Sequence, residues 1–97
     1  MNVLSNEVIL NRLTEIKGWN FLNKQIEKEF EFIDFKQALA FVNKTGEAAE
    51  AMDHHPDIFI HSWNKVKFTI STHSEGGVTE KDFKLAEAIE AIVEVQE

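Results

Sequence analysis

The chain has no cysteine among its 97 residues. That removes disulfides, thiolate chemistry and any cysteine-based zinc site, and it fits a reducing compartment. Long apolar runs are also missing, and none approaches the roughly 18–20 residues needed to cross a bilayer. Clustered basic charge is absent too: 10 Lys and Arg stand against 17 Asp and Glu, a formal net charge of -7. Phosphate contacts require grouped cations, so no nucleic-acid partner is expected. The densest basic stretch, Lys65 and Lys67, has alternate-residue spacing and reads as one solvated edge of a strand. The opening residues Met1 to Glu7 lack the basic and apolar regions of a secretory leader. These absences predict a soluble, cytoplasmic protein without a membrane partner. No linker or low-complexity segment divides the chain, so residues 1–97 are expected to form a single domain.

What is present is ordinary core material: 43% hydrophobic residues, with eight Phe and two Trp. A core of this size is modest, and association with further copies is a natural source of added stability. Ser5 can cap a helix carrying Ile9, Leu10, Leu13 and Ile16 at helical spacing, stopped by Gly18. From Gln25 to Phe32 the period changes to two. Ile26, Phe30 and Phe32 share one face, and Glu27, Glu29 and Glu31 the other. Lys28 breaks the apolar face, which predicts that part of this strand lies near a sheet edge.

Asp34 can cap a long amphipathic helix with Phe35, Ala38, Leu39, Val42, Ala49 and Met52 on its apolar stripe. Gly46 on that stripe suggests close approach of another backbone. Ile58 to Trp63 and Lys65 to Thr72 read as two more strands, and Thr79-Glu80-Lys81-Asp82 as a capping box opening a last helix. The expected fold is α+β, in the order helix-strand-strand-helix-strand-strand-helix. Its simplest form is one four-stranded antiparallel sheet with three helices on one face.

All four histidines fall in one segment, at positions 54, 55, 61 and 73. His54 and His55 end the long helix, and Pro56 pushes His55 out of helical conformation. The two rings should therefore diverge at a helix-to-strand corner. Neither His54 nor His73 falls on a predicted core stripe. One reading is a chance group of surface histidines. A second is a metal site, weakened by the absence of an HxxxH or HExxH spacing. A third is acid–base catalysis, for which imidazole suits with a pKa of about 6.5, and in which Asp53 or Glu50 could hold one ring. A nucleophile paired with a base is not evident, because Ser71, Thr72 and Ser74 merely flank His73.

The strings Glu50-x-Met52-Asp53-His54-His55-Pro56-Asp57, Asn64-Lys65-Val66, Ser71-Thr72-His73 and Gly76-Gly77-Val78-Thr79-Glu80-Lys81-Asp82 narrow these alternatives. Together they closely resemble the pterin-4a-carbinolamine dehydratase family. The resemblance runs over roughly residues 17–93 and includes Gly18-Trp19 and Phe30-x-Phe32-x-Asp34-Phe35. It implies the same α+β fold and catalysis by His54, His55 and His73. It also implies supporting or substrate-binding roles for Glu50, Asp53, Pro56, Thr72 and Asp82. The implied reaction is loss of water from a 4a-hydroxytetrahydropterin to give a quinonoid dihydropterin, with no metal or organic cofactor. An aromatic amino acid hydroxylase would supply that substrate in the same pathway, and a homodimer or homotetramer is implied. Vertebrate relatives also serve as dimerisation cofactors, so a non-catalytic regulatory or assembly protein on this fold is the alternative.

Two positions depart from the family pattern. Ile58 follows Asp57 where many relatives have Trp, and Ile58 to Trp63 carries one residue more than the commonest layout. An added residue flips the faces of a strand unless a bulge absorbs it. His61, within this stretch, reads as a surface strand residue.

Overall fold

The computed structural model describes residues 3–96. Its elements are α1 (Asn6–Leu13), β1 (Asn20–Leu22), β2 (Gln25–Glu31), α2 (Phe35–Met52), β3 (Asp57–His61), β4 (Lys65–Ile70), a 3-10 turn (His73–Glu75) and α3 (Glu80–Gln96). Two helix starts are made by the expected caps. Ser5 Oγ accepts from the Val8 amide at 3.2 Å, and Asp34 Oδ1 accepts from the Gln37 amide at 2.8 Å.

The four strands form an antiparallel sheet in the order β1-β2-β4-β3. Its parity follows the alternation in the sequence. Ile26 and Phe30 of β2 and Val66, Phe68 and Ile70 of β4 are buried on one face. They share a single core cluster with Ile9 of α1, Ala38 and Phe41 of α2, and Phe83, Leu85 and Ile89 of α3. The three helices therefore cover one face, as the pattern predicts. Glu27, Glu29 and Glu31 pair across the opposite face with Thr69, Lys67 and Lys65, and none of these six is buried.

Four sequence expectations change. The stripe of α2 that enters the core is Ala38, Phe41, Thr45 and Ala49, while Phe35 and Leu39 are 48% and 38% exposed. The rotation brings Phe41 into a nest of rings, 5.3 Å from Phe30, 4.8 Å from Phe32 and 5.5 Å from Phe68. Burying a phenyl ring so completely is worth about 1.5–3 kcal/mol, more than the half-buried alternatives would return. Gly46 faces no close backbone within the chain, since a methyl group placed there would meet nothing within 4 Å.

Lys28 does not mark an edge, because β2 lies inside the sheet and the edges are β1 and β3. Its stem crosses Gly18, where a Cβ would sit 2.8 Å from Lys28 Cε. The ammonium then donates to the Lys17 carbonyl at 2.8 Å and to Glu90 Oε2 at 2.7 Å. A charge on the helix-side face is thus led out of the core and paired.

The added residue near His61 produces no bulge. Pairing runs without a break from Asp57↔Thr69 to His61↔Lys65, and the turn Ser62-Trp63-Asn64 takes up the extra length. Ser62 and Trp63 both have left-handed backbone, with φ of 51° and 57°. Asn64 anchors the turn by donating from Nδ2 to the Phe32 carbonyl at 2.8 Å and accepting from the Phe32 amide at 2.8 Å. Among the described residues, no helix is long and apolar enough to cross a membrane.

Candidate active site

The site is built where three chain segments change direction. The first is the end of α2, where Asp53 adopts a left-handed conformation at φ 51°, ψ 43°. The Asp53 amide donates to the Glu50 carbonyl at 3.1 Å, and the His54 amide to the Ala49 carbonyl at 3.1 Å. This is a Schellman closure, and aspartate tolerates the left-handed position better than most residues. The closure reverses the chain in one residue. It turns His54 inward, to 8% exposure, and leaves its neighbour His55 in solvent.

The second segment follows β4. The Thr72 amide donates to the Gly77 carbonyl at 2.9 Å, so the loop between them closes on itself. His73 opens the 3-10 turn inside that loop, and Gly76 ends it at φ 79°, a conformation suited to glycine. His73 is exposed, and its ring nitrogens have no hydrogen-bond partner among the described residues.

The third segment is the start of α3. The Asp82 carboxylate, fully buried, accepts from the Thr79 amide at 2.8 Å, which is half of the expected capping box. The same carboxylate accepts from Thr72 Oγ1 at 2.8 Å and holds His54 Nε2 at 2.6 Å. A carboxylate accepts here, so His54 Nε2 is the donor, and in the neutral form of the ring the lone pair lies on Nδ1. With Thr72 donating to Asp82, Thr79 Oγ1 must donate to Thr72 Oγ1, 2.8 Å away. Among the described residues, no buried side-chain polar atom lacks a partner.

His55 is tied differently. Its Nε2 donates to Glu50 Oε1 at 2.7 Å, one turn back on α2, with both side chains exposed. Glu50 thus holds one ring, as the sequence suggests, and Asp82 rather than Asp53 holds the other. The expectation that His54 stands clear of the interior is corrected: its ring is packed away and bonded to a buried carboxylate.

A hollow of about 260 Å³ is lined by Asp53, His54, His55, Ser71, Thr72, His73, Ser74 and Lys81. His54, His55 and His73 therefore all face one concavity, with Asp82 bonded behind His54, while Glu50 does not line it and reaches it only through His55. Pro56 does not line it. Lys81, which sequence reasoning placed only in the capping box, does. Among the described residues, no three His, Cys, Asp or Glu side chains converge as metal ligands would. His61 lies elsewhere, on the open face of the sheet. It is bonded to Glu29 and stacked on Phe59 at 4.9 Å between centroids. The hydrogen bond from His61, with its nearby charge, holds the Glu29 carboxyl below its ordinary value of 4.5.

Comparison with known proteins extends this picture. A protein of Sulfolobus acidocaldarius named "Putative pterin-4-alpha-carbinolamine dehydratase" is 47% identical over 89 residues, covering 92% of this chain and 97% of that protein. One of the same name from Christiangramia forsetii is 45% identical over 94 residues, covering 97% and 96%. A crystal structure of a transcriptional coactivator/pterin dehydratase from Brucella melitensis superposes with a TM-score of 0.89 at 38% identity, covering 94% of this chain and 98% of that one. A pterin dehydratase-like RuBisCO assembly factor of the alpha-carboxysome shares the fold, with a TM-score of 0.65 at 20% identity. Residues 2–92 match the family described as pterin 4 alpha carbinolamine dehydratase, and the chain belongs to that family.

Proposed function

We propose that this protein dehydrates a 4a-hydroxytetrahydropterin to the quinonoid dihydropterin. The observation that carries the reading is the arrangement of His54, His55 and His73 around one hollow, each in a different state of tethering. The reaction breaks the C4a–O bond, takes the proton from N5 and forms a C4a–N5 double bond, releasing water. It therefore needs one group to protonate the departing hydroxyl and another to accept the N5 proton. His73, with no partner on either nitrogen, is free to reorient, while His54 offers Nδ1 from a fixed ring. These two are assigned the proton transfers. His55 is assigned to binding, because its ring is already engaged by Glu50 in solvent. Asp82 and Thr72 act as positioning residues for His54. The enzyme is read as working without a metal or organic cofactor.

A homodimer or homotetramer is part of the proposal. The sheet has an uncovered face and two edge strands, β1 and β3, whose outer backbone groups are open to a partner strand. Sedimentation at micromolar concentration should give a multiple of the chain mass, and a lone monomer would count against assembly. The deciding measurement for the activity is dehydration of synthetic 4a-hydroxytetrahydropterin, corrected for the spontaneous reaction and repeated after exhaustive chelation. A clear acceleration that survives chelation is expected. No acceleration over buffer would leave a regulatory or assembly role, of the kind named for the coactivator relative, as the better reading.

A further inference from the structure

The hollow that holds the three histidines does not end at His73. A second hollow of about 300 Å³ shares Ser71 and His73 with it and continues to the β1–β2 turn, lined by Asn23, Lys24, Gln25 and Gly76. Either hollow alone is at or below the low end of the roughly 300–1,000 Å³ of ordinary ligand sites, and together they fall within it. Their linings differ in chemistry. The first contains a carboxylate, Asp53, beside Lys81. The second contains none, and offers amide, hydroxyl, imidazole and ammonium donors. In a chain with net charge -7, a concavity without acid and rich in donors runs against composition.

The backbone adds a separate observation. Leu22 pairs with Gln25, so Asn23 and Lys24 form a two-residue hairpin turn, and both have positive φ, 54° and 63°. Turns of this pattern favour Asn-Gly, because the second position is left-handed and a side chain there is strained. Here that position holds lysine. Its ammonium has no carboxylate partner within 4 Å among the described residues. The strain therefore gains the fold no ion pair, and an outlier kept beside a site points to use by that site.

We infer that this second hollow is a specificity lobe for a negatively charged substituent on the pterin ring, with Lys24 as the residue that selects for charge. The inference rests on the pterin reading above. With the ring among the histidines, a substituent passing His73 and Ser71 enters a space whose polar groups can all donate to an oxyanion.

Binding, rather than turnover, tests this independently of the chemistry. Two stable fluorescent ligands, 6-hydroxymethylpterin and its phosphate monoester, are titrated into the full chain by fluorescence quenching. The phosphate ester should bind about two- to fivefold tighter at low salt, the scale of an exposed charge pair, with the advantage shrinking as salt is added. Lys24→Gln and Lys24→Gly should bring the ratio toward one, and Lys24→Arg should keep it. Lys24→Gly should also hold or raise the melting temperature, because glycine relieves the left-handed turn. Equal affinities in the parent chain, or a ratio that survives both neutral variants, would overturn the lobe. A fall in melting temperature for Lys24→Gly would assign the lysine to the fold instead, and overturn it as well. Failure to bind either pterin would remove the pterin reading and the lobe together. Binding with charge preference but no dehydration would remove only the dehydratase activity.

Discussion

His54 and His55 are adjacent in sequence and share a type, yet they stand in opposite environments. His54 is buried against a carboxylate that is itself fully enclosed and bonded to two threonines. His55 faces solvent and leans on a glutamate that is more exposed still. One left-handed residue, Asp53, turns the chain immediately before the pair, sending His54 inward and leaving His55 outside. The lesson is that a pair of identical side chains can be divided into a fixed group and an adjustable one by the backbone alone. A fixed ring presents one nitrogen at one place, while an exposed ring tied by a weak pair can follow a ligand.

The comparison breaks most severely at Asp82. Asp82→Ala would leave the Thr79 amide, the Thr72 hydroxyl and His54 Nε2 without their acceptor in a buried space. Each such orphan costs about 1–3 kcal/mol, so the variant should lose several kcal/mol in urea denaturation and lose its activity with it. Asp82→Asn restores an acceptor and should recover much of the stability while His54 remains in the wrong proton arrangement. Stability recovered without activity would separate the two roles of this side chain, whereas full recovery of both would show that the carboxylate charge is dispensable.

Next in size are the histidines themselves. His54→Ala and His73→Ala should each slow dehydration by about 10²–10⁴-fold if each moves a proton in the transition state. His55→Ala should act mainly on KM. The double variant of His54 and His73 should lose less than the product of the single effects. Only His54→Ala should also destabilise the fold, since His73 and His55 are exposed. If His55→Ala lowers kcat as far as His54→Ala does, the division between fixed and adjustable rings is wrong.

The smallest effect is expected at the other exposed pair, Glu29 and His61. The Glu29 carboxyl titrates below its ordinary value when folded. Around that value the unfolded chain binds more protons, so the pair stabilises above pH 4.5 and loses its contribution as pH falls through the lower folded value. The stability difference between the parent chain and Glu29→Gln should thus be small at neutral pH and vanish in acid. A difference that grows on acidification would reverse the sign. His61→Ala should leave the dehydration rate near that of the parent.

Much of this architecture was legible from period and caps. Ser5, Asp34 and the alternation in β2 and β4 are local signals, and local physics decided them. What escaped was decided by groups distant in sequence. Phe41 was passed over because the rings that receive it come from β2 and β4, and periodicity alone does not say which of two neighbouring stripes meets them. Lys28 suggested an edge because its partner, Glu90, lies 62 residues away. The histidine group was visible as a string and by family resemblance. The burial of His54 was not, because its carboxylate is 28 residues along the chain, and neither the capping box nor the supporting role that the resemblance implies for Asp82 says which ring it holds.

The turn Ser62-Trp63-Asn64 has a consequence for how such a chain can lengthen. It joins β3 and β4 at the end away from His54, His55 and His73, and β4 alone, six residues at roughly 3.3 Å each, puts about 20 Å between them. Asn64 fastens the sheet side of the turn to Phe32, so residues gained before it are shed outward rather than passed along the strand. The turn works as an expansion joint. Insertions between His61 and Asn64 should leave the corner that carries His54, His55 and His73 in place, which makes this the natural point at which to splice a reporter or a tether into the chain.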